Sequence, residues 1–214
     1  TMGVIGPGWQ GIDNMQNFIF LDDVQIVAVC DIDKEHLADG KNLVDGHYSN
    51  FDCDTYHYFE EIVERDDIDA MLIALPDHWH AIPAIASANA GKHCFGEKPL
   101  SHTLVEGRAM VDAIESNGLI WQTGSWQRSV GNFHQCAELV RNGRIGKVHR
   151  IECGLTSGHN DYQGTGEQKA FTKAPEGLDY ERWLGPSGTP DELPYAPARV
   201  HKNWRWVMEH GVAR

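Results

Sequence analysis

The chemistry-bearing residues of this 214-residue sequence fall in a few short stretches. Gly6-Pro7-Gly8-Trp9-Gln10-Gly11 is a G-x-G-x-x-G placed directly after an apolar run. After a strand and before a helix, the first glycine permits a tight turn, the second lets a pyrophosphate approach the backbone, and the third allows close helix packing. The helix N-terminus adds N–H groups and a partial positive charge. Gly6, Gly8, Trp9, Gln10 and Gly11 are therefore the expected phosphate cradle. Asp31 ends the next apolar run, about twenty residues beyond Gly11. A carboxylate there can accept both hydroxyls of an adenosine ribose and would repel a 2′-phosphate, so the cofactor expected is NAD rather than NADP. Glycines also mark plain turns, and an aspartate beside Asp33 also caps helices; both readings stay open.

Two further stretches leave later strands. Pro76-Asp77-His78-Trp79-His80 follows an apolar run, and Glu97-Lys98-Pro99 follows another. In an open α/β sheet both would reach the carboxyl edge, where ligands bind. A partly desolvated amine beside a cationic nicotinamide is placed to act as acid or base, so Lys98 is the candidate catalytic group. Its ordinary alternative is an exposed loop charge. His78 and His80 have no third ligand at a metal-site spacing, and no metal is expected.

These residues need a scaffold, and apolar runs alternating with helical patterns supply one. Strands are expected over residues 2–6, 24–30, 69–75, 93–96 and 119–123, continuous enough in apolar character to be covered on both faces. Asp33 caps a helix running to about Val44, and Thr103 with Glu106 forms a capping box for one ending at Asn117-Gly118. An Ala-rich helix with Pro83 in its first turn stops at Gly91, and another from about Asn132 stops at Asn142-Gly143. Residues 147–157 read as one long strand. Residues 158–199 show little periodicity, which marks a functional loop or a wrapping segment.

Composition narrows the function classes. The sequence is 41% hydrophobic and 23% charged, as in an ordinary globular protein, and has no apolar stretch of membrane-spanning length. With 18 basic against 31 acidic residues, net −13, an unaided grip on nucleic acid is not expected. The five scattered cysteines suggest reduced thiols. A cytoplasmic location is the default, with export of the folded protein as the alternative.

Taken in order, Gly6 to Gly11, the Val27 to Asp31 strand end, Pro76 to His80, Glu97-Lys98-Pro99, Gly124-Ser125-Trp126-Gln127-Arg128 and Asn142-Gly143-Arg144-Ile145-Gly146 resemble the Gfo/Idh/MocA oxidoreductases. The resemblance implies an α/β fold: a Rossmann doubly wound parallel sheet over residues 1–125, then the start of an open, mostly antiparallel substrate domain over 126–214. It implies that Lys98 assists proton transfer, that Glu97 contacts the nicotinamide ribose region, and that Pro76, His80, Gln127 and Arg128 line the cofactor. The implied reaction is hydride transfer between nicotinamide and a hydroxyl-bearing carbon of a sugar or cyclitol. The alternatives are an NAD-dependent glycoside hydrolase and a non-catalytic dinucleotide sensor. His159, His201 and Arg205 are candidate substrate contacts, with Trp183, Trp204 and Trp206 as candidate stacking surfaces.

The resemblance also implies an Asp-x-x-x-His pair that the sequence does not contain; His210 has Trp206 four residues before it. A piece of a longer, oligomeric enzyme is therefore expected, with one face of the 147–157 strand uncovered.

Overall fold

A computed structural model describes residues 1–154 and 171–211, excluding the side chains of residues 201, 202 and 206. Its centre is a six-stranded parallel sheet: β1 (Met2–Ile5), β2 (Ile26–Cys30), β3 (Asp54–Tyr56), β4 (Ala70–Ile73), β5 (His93–Glu97) and β6 (Trp121–Gly124). The spatial order is β3-β2-β1-β4-β5-β6. Val4 sits opposite Val29 on one side and Leu72 on the other. These central strands are apolar at every position because both faces are covered, as parallel crossovers require.

The faces carry separate cores. Met15 and Ile19, from α1 (Trp9–Phe18) and its C-terminal end, and Val44 of α2 (Lys34–Tyr48) pack on Met2, Val4, Val29 and Leu72. The opposite face takes α3 (Phe59–Val63), α4 (Ala81–Asn89) and α5 (Leu104–Ser116), whose Ile62, Ala84 and Met110 pack on Ala28, Met71 and Cys94. The sheet is thus doubly wound.

Local signals explain the helix starts. The Asp33 carboxylate accepts the N–H groups of Glu35 and His36 at the head of α2. Thr103 and Glu106 make the reciprocal capping box of α5, with N–H to oxygen distances of 3.2 and 2.7 Å. The helix expected from Asn132 is α6 (Gly131–Arg141). Two short elements lacked a sequence signal: edge strand β3 has exposed or half-buried residues and no apolar run, and α3 spans five residues.

The later residues depart from expectation. Residues 147–154 form no strand and are exposed, and residues 155–157 lie outside the described part. A strand needs a neighbour to take up its backbone groups, and among the described residues none pairs with this stretch. Nor is there an antiparallel sheet among the described residues beyond Gly124. Instead residues 171–211 wrap back onto the sheet edge, with Leu178, Tyr180, Trp183, Leu184, Tyr195 and Val200 forming a third cluster against Ile32. Of the aperiodic stretch expected to be a functional loop or a wrapping segment, residues 171–199 wrap, and residues 158–170 lie outside the described part. The wrapping part contains α7 (Tyr180–Leu184).

Two glycines set opposite expectations for substitution. A Cβ on Gly11 would lie 2.0 Å from the Gly6 carbonyl oxygen, whereas one on Gly46, exposed within α2, would meet nothing within 4 Å. Gly11→Ala is expected to lower the unfolding free energy by about 2 kcal/mol or more. Gly46→Ala should raise it by about 0.5–1 kcal/mol. Urea unfolding of the two variants checks both signs.

Candidate functional site

The order of the sheet makes β1 and β4 neighbours whose following connections run to opposite faces, and a crevice opens where they part. A cleft of about 630 Å³ lies there, bounded by residues that follow β1, β2, β4 and β5. Cofactor and small-molecule sites run from about 300 to 1,000 Å³.

The glycine turn forms its floor. Gly6 has φ +86°, and a Cβ on it would lie 2.4 Å from the Ala74 carbonyl oxygen. Gly6 and Gly11 are thus demanded by the protein's own packing. Gly8 is different: a Cβ there would meet only the His36 ring at 3.5 Å, an ordinary contact, yet Gly8 lines the cleft together with Trp9 and Gln10. The bare backbone at Gly8 leaves room that no protein atom uses. Gly8 also N-caps α1 without a side chain, so the positive end of the helix is turned toward that room.

Asp31 closes one flank. Its Oδ1 accepts the Asp33 N–H at 2.8 Å, and its Oδ2 lies 3.6 Å from Nδ1 of His36. The turn role left open by the sequence is therefore real, but a carboxylate has about four acceptor positions and these contacts leave capacity for hydroxyl groups. Hydrogen bonding to Asp31 holds the His36 pKa above the usual histidine value, against the effect of burial. Cys30, behind Asp31, is a buried thiol whose pKa is pushed up, first by burial and then by Asp31, so it stays protonated.

The other flank belongs to β5. Glu97 is buried, its Oε1 accepting from Asn14 Nδ2 at 2.9 Å and its Oε2 from the Lys98 backbone N–H at 3.2 Å. Gln10 Nε2 donates to Asn14 Oδ1 at 3.3 Å, which links the glycine turn to the Lys98 peptide through Glu97. The Lys98 side chain reaches the cleft wall but is exposed, so the desolvation expected for it does not come from the described residues. Pro76 also lines the cleft.

His80 stands behind the wall instead of lining it. Its ring nitrogens lie 2.5 Å from the Pro99 carbonyl oxygen and 2.7 Å from that of Leu75, tying the loop after β5 to the loop after β4. His78 turns elsewhere, toward the carbonyl oxygens of Trp183 (2.9 Å) and His210 (3.3 Å). Gln127 and Arg128 sit in an exposed turn after β6, outside the cleft lining. His159 lies outside the described residues, as do the side chains of His201 and Trp206. Arg205, Trp183 and Trp204 line the cleft, with the Arg205 guanidinium 5.5 Å over the Trp204 ring. Sequence reasoning missed Asn14, Trp79, Leu178 and Arg182. Trp79 lay within the Pro76 to His80 stretch without being assigned a role, and Asn14 carried a signal one helical turn beyond Gln10.

Comparison with known proteins agrees with this architecture. Residues 1–125 match the family described as an oxidoreductase family with an NAD-binding Rossmann fold. A myo-inositol 2-dehydrogenase of Thermotoga maritima is 32% identical over 148 residues, covering 69% of this chain and 42% of that protein. An alpha-N-acetylgalactosaminidase of Shewanella oneidensis is 34% identical over 121 residues, covering 53% of this chain and 26% of that one. The crystal structure of scyllo-inositol dehydrogenase from Lactobacillus casei, with bound cofactor NAD(H) and scyllo-inositol, superposes with a TM-score of 0.59 at 25% identity, over 68% of this chain and 42% of that one. The chain spans less than half the length of these relatives.

The buried pair His78 and His210, their ring centroids 4.9 Å apart, makes stability depend on pH. Burial lowers the pKa of His78 to about 4 and that of His210 to about 3, the latter lowered further by the neighbouring His78 ring. The folded state thus binds fewer protons than the unfolded one below the ordinary histidine value of 6.5. Stability is whole above pH 6.5 and is lost as pH falls toward 4, by about 1.4 kcal/mol per pH unit for His78. Limited proteolysis between residues 177 and 211, followed from pH 7 to pH 4, should show the segment loosening over that window.

Proposed function

The chain belongs to the oxidoreductase family with an NAD-binding Rossmann fold, and we propose that it is the cofactor-holding part of an NAD-dependent oxidoreductase acting on a hydroxyl of a sugar or cyclitol. The observation that carries this reading is Gly8: a position in the cleft wall where a side chain would clash with nothing, beside a helix N-terminus and between Asp31 and Lys98. Room kept clear at that point suits a pyrophosphate drawn against the backbone.

The residues fit such a ligand. Gly8 and the first turn of α1 would take the pyrophosphate, and Asp31 the adenosine ribose; Asp31 with neighbouring Asp33 favours NAD over NADP by repelling an added phosphate. Glu97 and Lys98 would lie on the nicotinamide side. When bound, the nicotinamide supplies a hydride acceptor or donor. The protein's own tasks are to orient the ring and to move the hydroxyl proton. For the second, Lys98 is the group we assign, its peptide held by Glu97 and its loop by His80. Arg205 is the candidate substrate contact among the described side chains, with His159 and His201 as further candidates from the sequence.

Calorimetry tests the first part: NAD should bind the chain more tightly than NADP, and Gly8→Leu should weaken NAD binding at least about a hundredfold while leaving the unfolding midpoint close to that of the unaltered chain. In the full-length enzyme Lys98→Met should lower turnover by about 10²-fold or more; an unchanged rate would overturn the role given to Lys98, and absence of any turnover in the unaltered protein would favour the sensor reading. The similarity to an alpha-N-acetylgalactosaminidase supports a second reading, in which bound NAD assists glycoside cleavage. Net NADH formation marks the dehydrogenase, and sugar release without net redox marks the hydrolase.

A further inference from the structure

The glycine turn and the acid at the end of β2 divide the cleft. The pyrophosphate belongs at Gly8, the adenosine on the β2 and β3 side, and the nicotinamide on the β4 and β5 side. The segment running from Gly177 to Trp183 is fastened at points that ring the cleft, on the adenosine side and at the loop after β4. Its backbone pairs with the loop after β2, the Lys34 N–H donating to the Gly177 carbonyl at 3.0 Å and the Asp179 N–H to the Ile32 carbonyl at 3.2 Å. The Asp179 carboxylate lies 3.4 Å from His57 Nε2, just past β3. Arg182 pairs with Glu60 of α3 and lies 5.3 to 5.4 Å over the rings of Tyr58, Phe59 and Trp79. The Trp183 carbonyl accepts from Trp79 Nε1 at 2.9 Å in the loop after β4.

Between these anchors Leu178, Arg182 and Trp183 present themselves as cleft wall. Leu178 is 8% exposed and packs with Ile32, the residue next to the ribose-side acid Asp31. Apolar cover at this place suits a flat heteroaromatic base, which loses little on leaving water and gains contact on both sides.

We propose that residues 177–183 are the outer wall of the adenine subsite, with Leu178 as the residue that sets how fast a bound adenine nucleotide leaves. This rests on the dinucleotide reading above and extends it to a segment beyond the family match. Because the anchors span loops after β2, β3 and β4, a bound adenosine would be enclosed from a side that an open crevice leaves to solvent. Release then requires the strap to loosen, and trimming its contact face speeds release without touching the phosphate cradle.

The test measures NADH dissociation from the 214-residue chain by fluorescence during displacement with excess ADP-ribose, and ADP-ribose affinity by calorimetry. Leu178→Ala should speed NADH release about tenfold and weaken ADP-ribose by a similar factor, with Leu178→Met restoring both. Arg182→Gln, which frees the strap at Glu60, should speed release several-fold and covers the case in which the first variant fails to fold, as judged by circular dichroism. Unchanged release in a folded variant overturns the proposal and leaves the dinucleotide reading intact, as does faster NADH release with unaltered ADP-ribose affinity. Absence of NADH binding to the unaltered chain overturns both.

Discussion

Backbone meets backbone at one point on which the rest of this structure depends. Gly6 approaches the carbonyl of Ala74, and Gly11 approaches the carbonyl of Gly6, each closer than any side chain permits. These contacts bring the ends of β1 and β4 and the first turn of α1 together without intervening atoms. The cleft at the parting of the sheet thereby acquires a helix N-terminus as its floor. Neither the parting of strands nor the helix end alone would make an anion site; their convergence does.

Around that point the site is held by ties between elements distant in sequence. His80 joins the loops that follow β4 and β5, and His78 joins the first of these to the later segment through the Trp183 and His210 carbonyls. Both rings lie between carbonyl oxygens, and since a neutral imidazole carries a single N–H, each donates to one of its two carbonyls at a time. The cleft residues are consequently carried by loops whose relative positions are fixed from behind.

Much of this was legible in the sequence, and the reasons differ by element. Central strands declare themselves because burial on both faces forces apolar residues at every position, as in Val27-Ala28-Val29. Asp33, Thr103 and Glu106 announce helix starts because their side chains answer a local shortage of acceptors. β3 was silent because an edge strand is buried on little of its surface, and α3 because five residues hold barely one apolar face. Residues 147–157 read as one long strand, but a stretch becomes a strand only once a neighbour accepts its hydrogen bonds, and among the described residues none does. Leu178 and Arg182 could not be found at all, since their place at the cleft follows from tertiary wrapping and leaves no periodic trace.

Asn14 and Glu97 illustrate a last point. They are 83 positions apart, yet an amide on α1 meets a carboxylate at the end of β5. One residue added to or deleted from the glycine turn would swing Asn14 about 100° around its helix and break that meeting. The length of the turn is thus metered from the far half of the sheet, so shortened or lengthened turns would be rejected by a checkpoint that lies outside the turn itself.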